Sequence, residues 1–216
     1  MIKQKYNKEE AKHLFFTSDS HFYHESIIKL CNRPYSTVEE MNNDLIHKWN
    51  SVVGPDDIVF HLGDFSWCGS DKTKKIGEQL NGHKCLILGN HDHEKMYSTY
   101  LKLFDLGVYQ QLLLNIDNRN VYLNHYPFLC YAGTYRNTKD MVWQLYGHVH
   151  SGPGATGLDL PRLEYCFKTQ YDVGVDNNNY TPISWEQICN KINEKRNKNQ
   201  LKFGLETLKQ DLNNEN

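Results

Sequence analysis

The chain has 216 residues and a formal net charge of −2, which suits one domain with a substantial core and gives no overall positive field to attract nucleic acid or an anionic membrane. A local basic patch is still compatible with this balance. No stretch approaches the roughly 20 apolar residues of a membrane span, and the polar start MIKQKYNKEEAKH lacks a signal-peptide core, so we expect a cytoplasmic protein with no membrane partner.

Short apolar and aromatic runs, each closed by glycine, asparagine or aspartate, recur along the chain and predict strands that end in turns. The run QLLLNI (111–116), followed by DNRN and VYLNH, predicts a β-hairpin. The other predicted strands are LFFTSD (14–19), DIVFHLGD (57–64), KCLILGN (84–90), NVYLNHY (120–126), MVWQLYGH (141–148) and YDVGVD (171–176).

Three helices are predicted between and after these strands. The clearest begins at Thr37, where Glu40 completes a capping box and an apolar face follows at helical spacing. A second lies around residues 71–80, and the last begins at Ser184 with Gln187 as its capping-box partner.

Helices alternate with strands at first and strands predominate later, which indicates a layered α/β domain with mixed sheets. We expect a single domain over residues 1–216, although the length would also accommodate two small ones. Residues 1–12 are interpreted as a polar arm and residues from about 205 to 216 as a frayed tail. The six cysteines contain no CxxC pair and are interpreted as reduced, mostly buried thiols rather than ligands.

The ends of five predicted strands carry seven side chains that can bind metal ions. Side chains alternate in an extended segment, so Asp19 and His21 would point to one face, as would His148 and His150. The donors are nitrogen and oxygen without thiolate, which suits Mn, Fe, Zn or Co. The set is Asp19, His21, Asp64, Asn90, His125, His148 and His150.

Seven donors are too many for one tetrahedral ion and suit two ions that share a carboxylate, the recurrent arrangement for in-line attack on phosphorus. Such a reaction also needs a proton for the leaving alkoxide, and His91 is the predicted general acid; its alternative role is a hydrogen bond to a ligand.

Arg33 is a candidate for binding phosphate oxygens, with packing on a tyrosine as the alternative. Trp67 and Tyr126 could wall the site or stack on a base, although most such aromatic residues belong to a core.

The ordered series DSH (19–21), GD (63–64), GNHD (89–92), His125 within LNHYP, and GHVH (147–150) resembles the motifs of the calcineurin-like metallophosphoesterase superfamily. The resemblance implies a four-layered α/β/β/α sandwich of two mixed β-sheets. It also implies Asp64 as a bridge between two ions and His91 as the acid. The implied ligands are Asp19, His21, Asp64 and His150 for one ion, and Asp64, Asn90, His125 and His148 for the other.

Within the superfamily, the stretches TSDSHFYHESIIKLCNRPY, WNSVVGPDDIVFHLGDFS and DVGVDNNNYTPIS resemble a compact group of bacterial and phage proteins. The run FSWCG after Gly63-Asp64 departs from a pattern common in the superfamily, which weakens any transfer of specificity from the protein phosphatases.

The expected function is therefore hydrolysis of a phosphoester, of phosphodiester or nucleotide type, by a metal-bridging hydroxide with a histidine general acid. Two divalent ions are expected, manganese first, with Fe, Zn, Ni or Co as alternatives. A small phosphoester or nucleotide is favoured over nucleic acid as the partner because a basic bias is lacking, and the sequence gives no indication of the oligomeric state. The alternative is a catalytically silent metal-binding scaffold or regulatory protein of the same fold, which would usually have lost ligands or the acid histidine.

Overall fold

Two five-stranded sheets form the centre of the protein, seen in a computed structural model that describes residues 3–133, 142–155 and 160–197. The strands are β1 (Lys3–Tyr6), β2 (Leu14–Thr17), β3 (Ile58–His61), β4 (His83–Ile87), β5 (Val108–Tyr109), β6 (Gln111–Ile116), β7 (Arg119–Asn124), β8 (Trp143–Tyr146), β9 (Gln170–Asp172) and β10 (Ile183–Ser184). The helices are α1 (Glu25–Leu30), α2 (Val38–Val52), α3 (Ser70–Gly77), α4 (Tyr97–Leu103) and α5 (185–197).

Both sheets are mixed. The first sheet has the order β1-β6-β7-β8-β9, in which only β6 and β7 pair antiparallel. The second sheet has the order β10-β2-β3-β4-β5, in which only β10 and β2 pair antiparallel. Neighbouring parallel strands end at the same edge of their sheet, so β2, β3 and β4 deliver their carboxyl ends to one place, and β7 and β8 do the same in the other sheet.

The main core lies between the sheets, because alternate side chains of each strand point toward the opposite sheet. Phe16 and Phe60 of the second sheet stack with ring centroids 5.4 Å apart, and they share this core with Leu114, Leu123 and Leu145 of the first sheet. Helix α5 adds Ile188 and Ile192 to the same core.

A second core covers the other face of the second sheet, where helices α1 to α4 pack. Val59 and Leu86, which alternate with the inter-sheet residues, share this core with Leu45 and Trp49 of α2. The predicted start of α2 is confirmed, since the Thr37 side chain accepts a hydrogen bond from the Glu40 amide at 3.1 Å. The prediction of an α/β fold with two mixed sheets and flanking helices is therefore confirmed.

Other predicted elements are present with adjusted ends. The β6–β7 hairpin is confirmed, with a two-residue turn at Asp117 and Asn118, both in the left-handed region. The capping box of Ser184 and Gln187 is confirmed by hydrogen bonds in both directions. The strand predicted over residues 171–176 stops at Asp172, because the side-chain amides of Asn177 and Asn178 bond to its carbonyl oxygen and a 3₁₀ turn follows.

Some features were not predicted. The residues interpreted as a polar arm include β1, which extends the first sheet by pairing with β6, and α1 and α4 are further additions.

All six cysteines are free, but only Cys31 and Cys85 are buried. The tail from about residue 205 lies outside the described residues. Among the helices that the structure describes, none has the length and apolar character needed to cross a membrane.

Candidate metal centre

The seven predicted ligands follow the carboxyl ends of five strands, and the two sheets bring them together. Asp19, Asp64 and Asn90 follow the neighbouring strands β2, β3 and β4, whereas His125 and His148 follow the neighbouring strands β7 and β8. Backbone hydrogen bonds join the loops: the Asp19 amide donates to the Gly63 carbonyl at 2.9 Å, and the His21 amide donates to the Asp64 carbonyl at 3.0 Å. The donors therefore sit on loops that rigid strands hold in register.

The backbone at these positions is not extended, which corrects the expectation that strand alternation aligns the paired ligands. Five of the seven have φ between 46° and 71°, in the left-handed region. Asp and His enter this region more readily than most residues, yet it remains costly and is typical of functional sites. A sharp turn at each strand end, rather than strand periodicity, aims these side chains at the crevice. The five are Asp19, His21, Asp64, His148 and His150.

The side chains form two donor groups. In each group the donor atoms lie within 4.8 Å of one another. His21 Nε2 is buried without a hydrogen-bond partner, which is costly for a polar atom unless it coordinates an ion. The residues thus fit two divalent ions. The groups are Asp19, His21 and His150, and Asp64, His125 and His148.

Asp64 lies between the two groups. Its Oδ2 is 3.5 Å from His21 Nε2 and 3.4 Å from His125 Nε2, so one oxygen faces a donor of each group. Its Oδ1 accepts a hydrogen bond from the His91 amide at 2.8 Å. Asn90 also belongs here, because its Oδ1 lies 3.0 Å from His125 Nε2. A shared oxygen with donors on both sides is the geometry of a bridging carboxylate.

Two motif glycines are required because their neighbours approach so closely. Gly63 has φ +101°, and a Cβ on it would lie 2.6 Å from His125 Nδ1. A Cβ on Gly147 would overlap the Ser18 hydroxyl and the Asp19 carboxylate. Any larger residue at these positions would displace a donor, since non-bonded atoms do not approach this closely.

The Nδ1 atoms of two histidines are fixed by partners, which leaves Nε2 to face the donors. His125 Nδ1 lies 2.7 Å from the Leu62 carbonyl oxygen, and His150 Nδ1 lies 2.7 Å from Asp176 Oδ2. Such partners set the tautomer and orientation of a metal-binding histidine. Burial opposes protonation of both rings, but the surrounding carboxylates outweigh it: Asp64 and Asp19 raise the pKa of His125 to about 9, and Asp176 raises that of His150 to about 11.

Burial determines the direction of the pKa shift for His21 and Asp19, whereas a neighbouring histidine determines it for Asp64. Burial lowers the pKa of His21 well below its usual value, which favours the neutral imidazole that coordinates metal. Burial also raises the pKa of Asp19. For Asp64, burial works to raise the pKa, but the hydrogen bond and charge of His125 outweigh it and the pKa is lowered. These shifts favour an ionised Asp64 carboxylate beside a neutral His21 imidazole.

Arg33 has partners other than a phosphate. Its side chain is fully buried, and every N–H of the guanidinium has an acceptor. It bonds to both carboxylate oxygens of Asp176 at 2.9 Å and to the carbonyl oxygens of Asp19 and Ser20, while Tyr180 lies 6.0 Å from it. Through these bonds Arg33 supports Asp176 and the loop that carries Asp19.

His91 borders the centre rather than joining either donor group. Its Nε2 is 4.0 Å from Asp64 Oδ2, and its side chain is 35% exposed. The half-exposed Trp67 contacts its ring edge-on at 4.7 Å and stacks on His24 at 4.4 Å. On the other side, Tyr126 packs 4.7 Å from the His148 ring. Trp67 and Tyr126 therefore flank the crevice, as one of the two interpretations of these aromatic residues anticipated.

Three residues near the centre were missed or left without a role. Asp176 supports His150, and only its acidic character within DVGVD hinted at this. Asp92, which ends the GNHD motif, accepts hydrogen bonds from the amides of Asp64, Phe65 and Gly89. His24 lies with its Nδ1 3.2 Å from His21 Nδ1. The GNHD motif, which ends in Asp92, could have indicated that residue, whereas the sequence around His24 contains no comparable motif.

The comparisons with known proteins agree with this geometry. The model of one family, described as calcineurin-like phosphoesterase, matches residues 12–190. The uncharacterised protein MJ1445 of Methanocaldococcus jannaschii is 35% identical over 185 residues, which cover 83% of this chain and 90% of that protein.

Two further relatives extend the set. The gene 66 protein of Mycobacterium phage L5 is 31% identical over 189 residues, covering 75% of this chain and 86% of that protein. The crystal structure of AQ665, a protein of unknown function from Aquifex aeolicus, superposes with a TM-score of 0.63 at 28% identity, covering 82% of this chain and 97% of that one.

Proposed function

Because the chain belongs to the calcineurin-like phosphoesterase family, we propose that it is a metal-dependent hydrolase that uses two divalent ions to cleave a phosphodiester or nucleotide-type phosphoester. The observation that carries the proposal is the position of Asp64 Oδ2, 3.5 Å from His21 Nε2 and 3.4 Å from His125 Nε2. One carboxylate oxygen thus lies between two donor groups, as a site for a pair of ions requires.

Each donor group has a defined part. Asp19, His21 and His150 would hold one ion, and His125, His148 and Asn90 the other, with Asp64 shared. Two divalent ions, when bound, supply a water of lowered pKa and neutralise charge on the phosphoryl oxygens. Manganese is the first candidate for this mixed nitrogen and oxygen set, with Fe, Zn, Ni or Co as alternatives.

His91 is the proposed general acid. Its side chain is partly exposed at the edge of the centre, and its Nε2 lies 4.0 Å from the proposed bridging oxygen. A proton on this atom would be within reach of an ester oxygen leaving a phosphorus held between the ions. The Asp64 carboxylate bonds to the His91 amide, which keeps the ring next to the reacting group.

The test is turnover by the purified protein loaded in turn with Mn, Ni, Zn or Co. The substrates are phosphodiesters, phosphomonoesters, cyclic nucleotides and single-stranded nucleic acid, each supplied separately. We expect hydrolysis of at least one small diester that chelation abolishes and added metal restores. No turnover on any substrate with any metal would contradict the proposal and favour a metal-binding scaffold.

A further inference from the structure

An apolar cavity of about 380 Å³ opens beside the metal centre. Its volume lies near the lower end of the range of about 300–1,000 Å³ typical of small-molecule sites. One wall consists of residues just after β7 in the sequence, and another is formed by the 3₁₀ turn Leu160–Tyr165. The lining includes Tyr126, Phe128, Leu129, Leu163, Tyr165 and the ligand His148.

The cavity exposes large apolar side chains to solvent. Leu129 is 74% exposed, Tyr165 66% and Tyr126 44%. Exposed apolar side chains that are grouped in one concave place mark binding surfaces. The polar, histidine-rich centre next to it could not bind an apolar group, so the two regions suit different parts of one ligand.

His148 connects the cavity with the centre. It lines the cavity and also belongs to the donor group with Asp64 and His125. The ring of Tyr126 lies 5.0 Å from that of His125 and 4.7 Å from that of His148. A flat group held against Tyr126 would therefore lie next to the second donor group, with room for a short linker between that group and a phosphorus bound at the centre.

A different cavity, of about 290 Å³, lies beside His91. Trp67 and His93 line it together with His91, and it shares no lining residue with the cavity beside His148. A leaving group has to be next to the proton donor. The cavity beside His148 is thus suited to the organic group that stays on the phosphorus.

We propose that the apolar cavity beside His148 binds the retained organic group of a phosphodiester, a flat aromatic group such as a nucleobase; this rests on the proposed function. In the reaction, water oxygen bonds to phosphorus, the ester bond to the leaving group breaks, and a proton ends on the leaving oxygen. The products are an alcohol and a phosphomonoester that still carries the aromatic group. A phosphomonoester substrate has no retained group and leaves this cavity unused.

The experiment compares two diesters with the same leaving group in the manganese-loaded protein. One is the p-nitrophenyl ester of thymidine 5′-phosphate, and the other is methyl p-nitrophenyl phosphate. The variants are Tyr165→Ala and Tyr165→Phe, with Tyr97→Ala as the matched control. Tyr97 is an exposed tyrosine at the start of α4, 42% exposed against 66% for Tyr165, and it lines neither cavity, so removing it tests general effects of losing a surface ring.

We expect Tyr165→Ala to lower kcat/KM for the thymidine ester about tenfold, the effect of losing one ring that stacks on a base, and to leave the methyl ester unchanged. Tyr165→Phe should restore the value and Tyr97→Ala should behave as the parent. An equal loss on both esters, or no preference for the thymidine ester in the parent, would overturn the proposal.

Calorimetric binding of thymidine 5′-monophosphate to the same proteins tests nucleotide binding in the cavity independently of hydrolysis. Weaker binding by Tyr165→Ala without turnover of either ester would support the cavity and contradict the proposed function. Turnover of both esters, with nucleotide binding indifferent to Tyr165, would contradict the cavity alone.

Discussion

His150 Nδ1 lies 2.7 Å from Asp176 Oδ2, and this contact fixes the ring whose Nε2 belongs to the first donor group. Arg33 holds the same carboxylate through two bonds of 2.9 Å from the protein interior. Asp176 therefore connects a buried arginine to the imidazole of a candidate ligand and restricts the orientation of that ring. Asp176 itself is not a member of that donor group.

Replacement of Asp176 should weaken metal binding. In Asp176→Asn the acceptor charge that fixes the His150 tautomer is lost, and we expect metal affinity to fall by about 10- to 100-fold. Calorimetric titration of the folded variant measures this. Asp44→Asn, which removes a carboxylate bonded to Tyr35 and Lys48, is the control and should bind metal as the parent does. Unchanged affinity in Asp176→Asn would show that the contact does not orient His150.

Loss of the shared carboxylate should affect both ions. Asp64→Ala removes the oxygen that faces both His21 and His125, so we expect loss of metal pairing and of activity. Asn90→Ala, which leaves Asp64 and the first donor group intact, should retain one ion. Native mass spectrometry gives the number of ions per chain. Two ions retained by Asp64→Ala would rule out the bridging role.

His91→Ala should retain metal and slow turnover according to the leaving group. Loss of a general acid typically costs about 10²- to 10⁴-fold when the leaving oxygen needs a proton, and much less when it is already a stable anion. We therefore expect a large decrease for alkyl esters and a small one for p-nitrophenyl esters, measured as kcat across a leaving-group series. A rate on alkyl esters equal to that of the parent would exclude the acid role.

Gly147→Ala should disturb the centre and destabilise the fold. The added methyl overlaps the Ser18 hydroxyl and the Asp19 carboxylate, which should cost about 1–3 kcal/mol of stability and weaken metal binding. At Gly69, where an added Cβ meets no atom within 4 Å, alanine should cost less stability than at Gly147 and leave metal binding unchanged. Chemical denaturation and metal titration of both variants provide the comparison, and equal behaviour would contradict it.

Metal should stabilise the folded chain. A ligand that binds only the native state adds about 2.7 kcal/mol at 100 times its dissociation constant. We therefore expect Tm to rise on adding Mn and to fall on chelation, with a smaller rise in Asp64→Ala. Scans with Mn, Fe, Zn, Ni and Co rank the metals. A Tm that responds equally in the parent and in Asp64→Ala would place the stabilising ion elsewhere.

Much of the fold was predictable because local chemistry determines it. The capping boxes at Thr37 and Ser184 and the hairpin turn at Asp117-Asn118 are each set by a few adjacent residues. The short strand β1 was not predicted, since KQKY has no strand pattern and is held by pairing with β6 and by packing of Tyr6 on Phe60. Its structure depends on residues more than 100 positions away.

The candidate ligands were also accessible to sequence analysis, because all seven stand at the ends of predicted strands and three of them stand directly after a glycine: Asp64, Asn90 and His148. Their geometry was not, since the left-handed turns at Asp19 and Asp64 oppose the simple alternation of a strand. The partner of Arg33 was inaccessible for another reason. Asp176 is 143 residues away, and no local pattern distinguishes an arginine that binds phosphate from one that forms a buried ion pair.

The strand order has a consequence for fragments of this protein. Strand β1 belongs to the sheet formed by β6 to β9, and β10 belongs to the sheet formed by β2 to β5, so each half of the chain contributes a strand to the other half's sheet. Cleavage between β5 and β6 would leave four candidate ligands on one fragment and three on the other. Neither fragment could assemble the centre alone. The two fragments together should restore it, and metal binding by the mixture should show that they have associated.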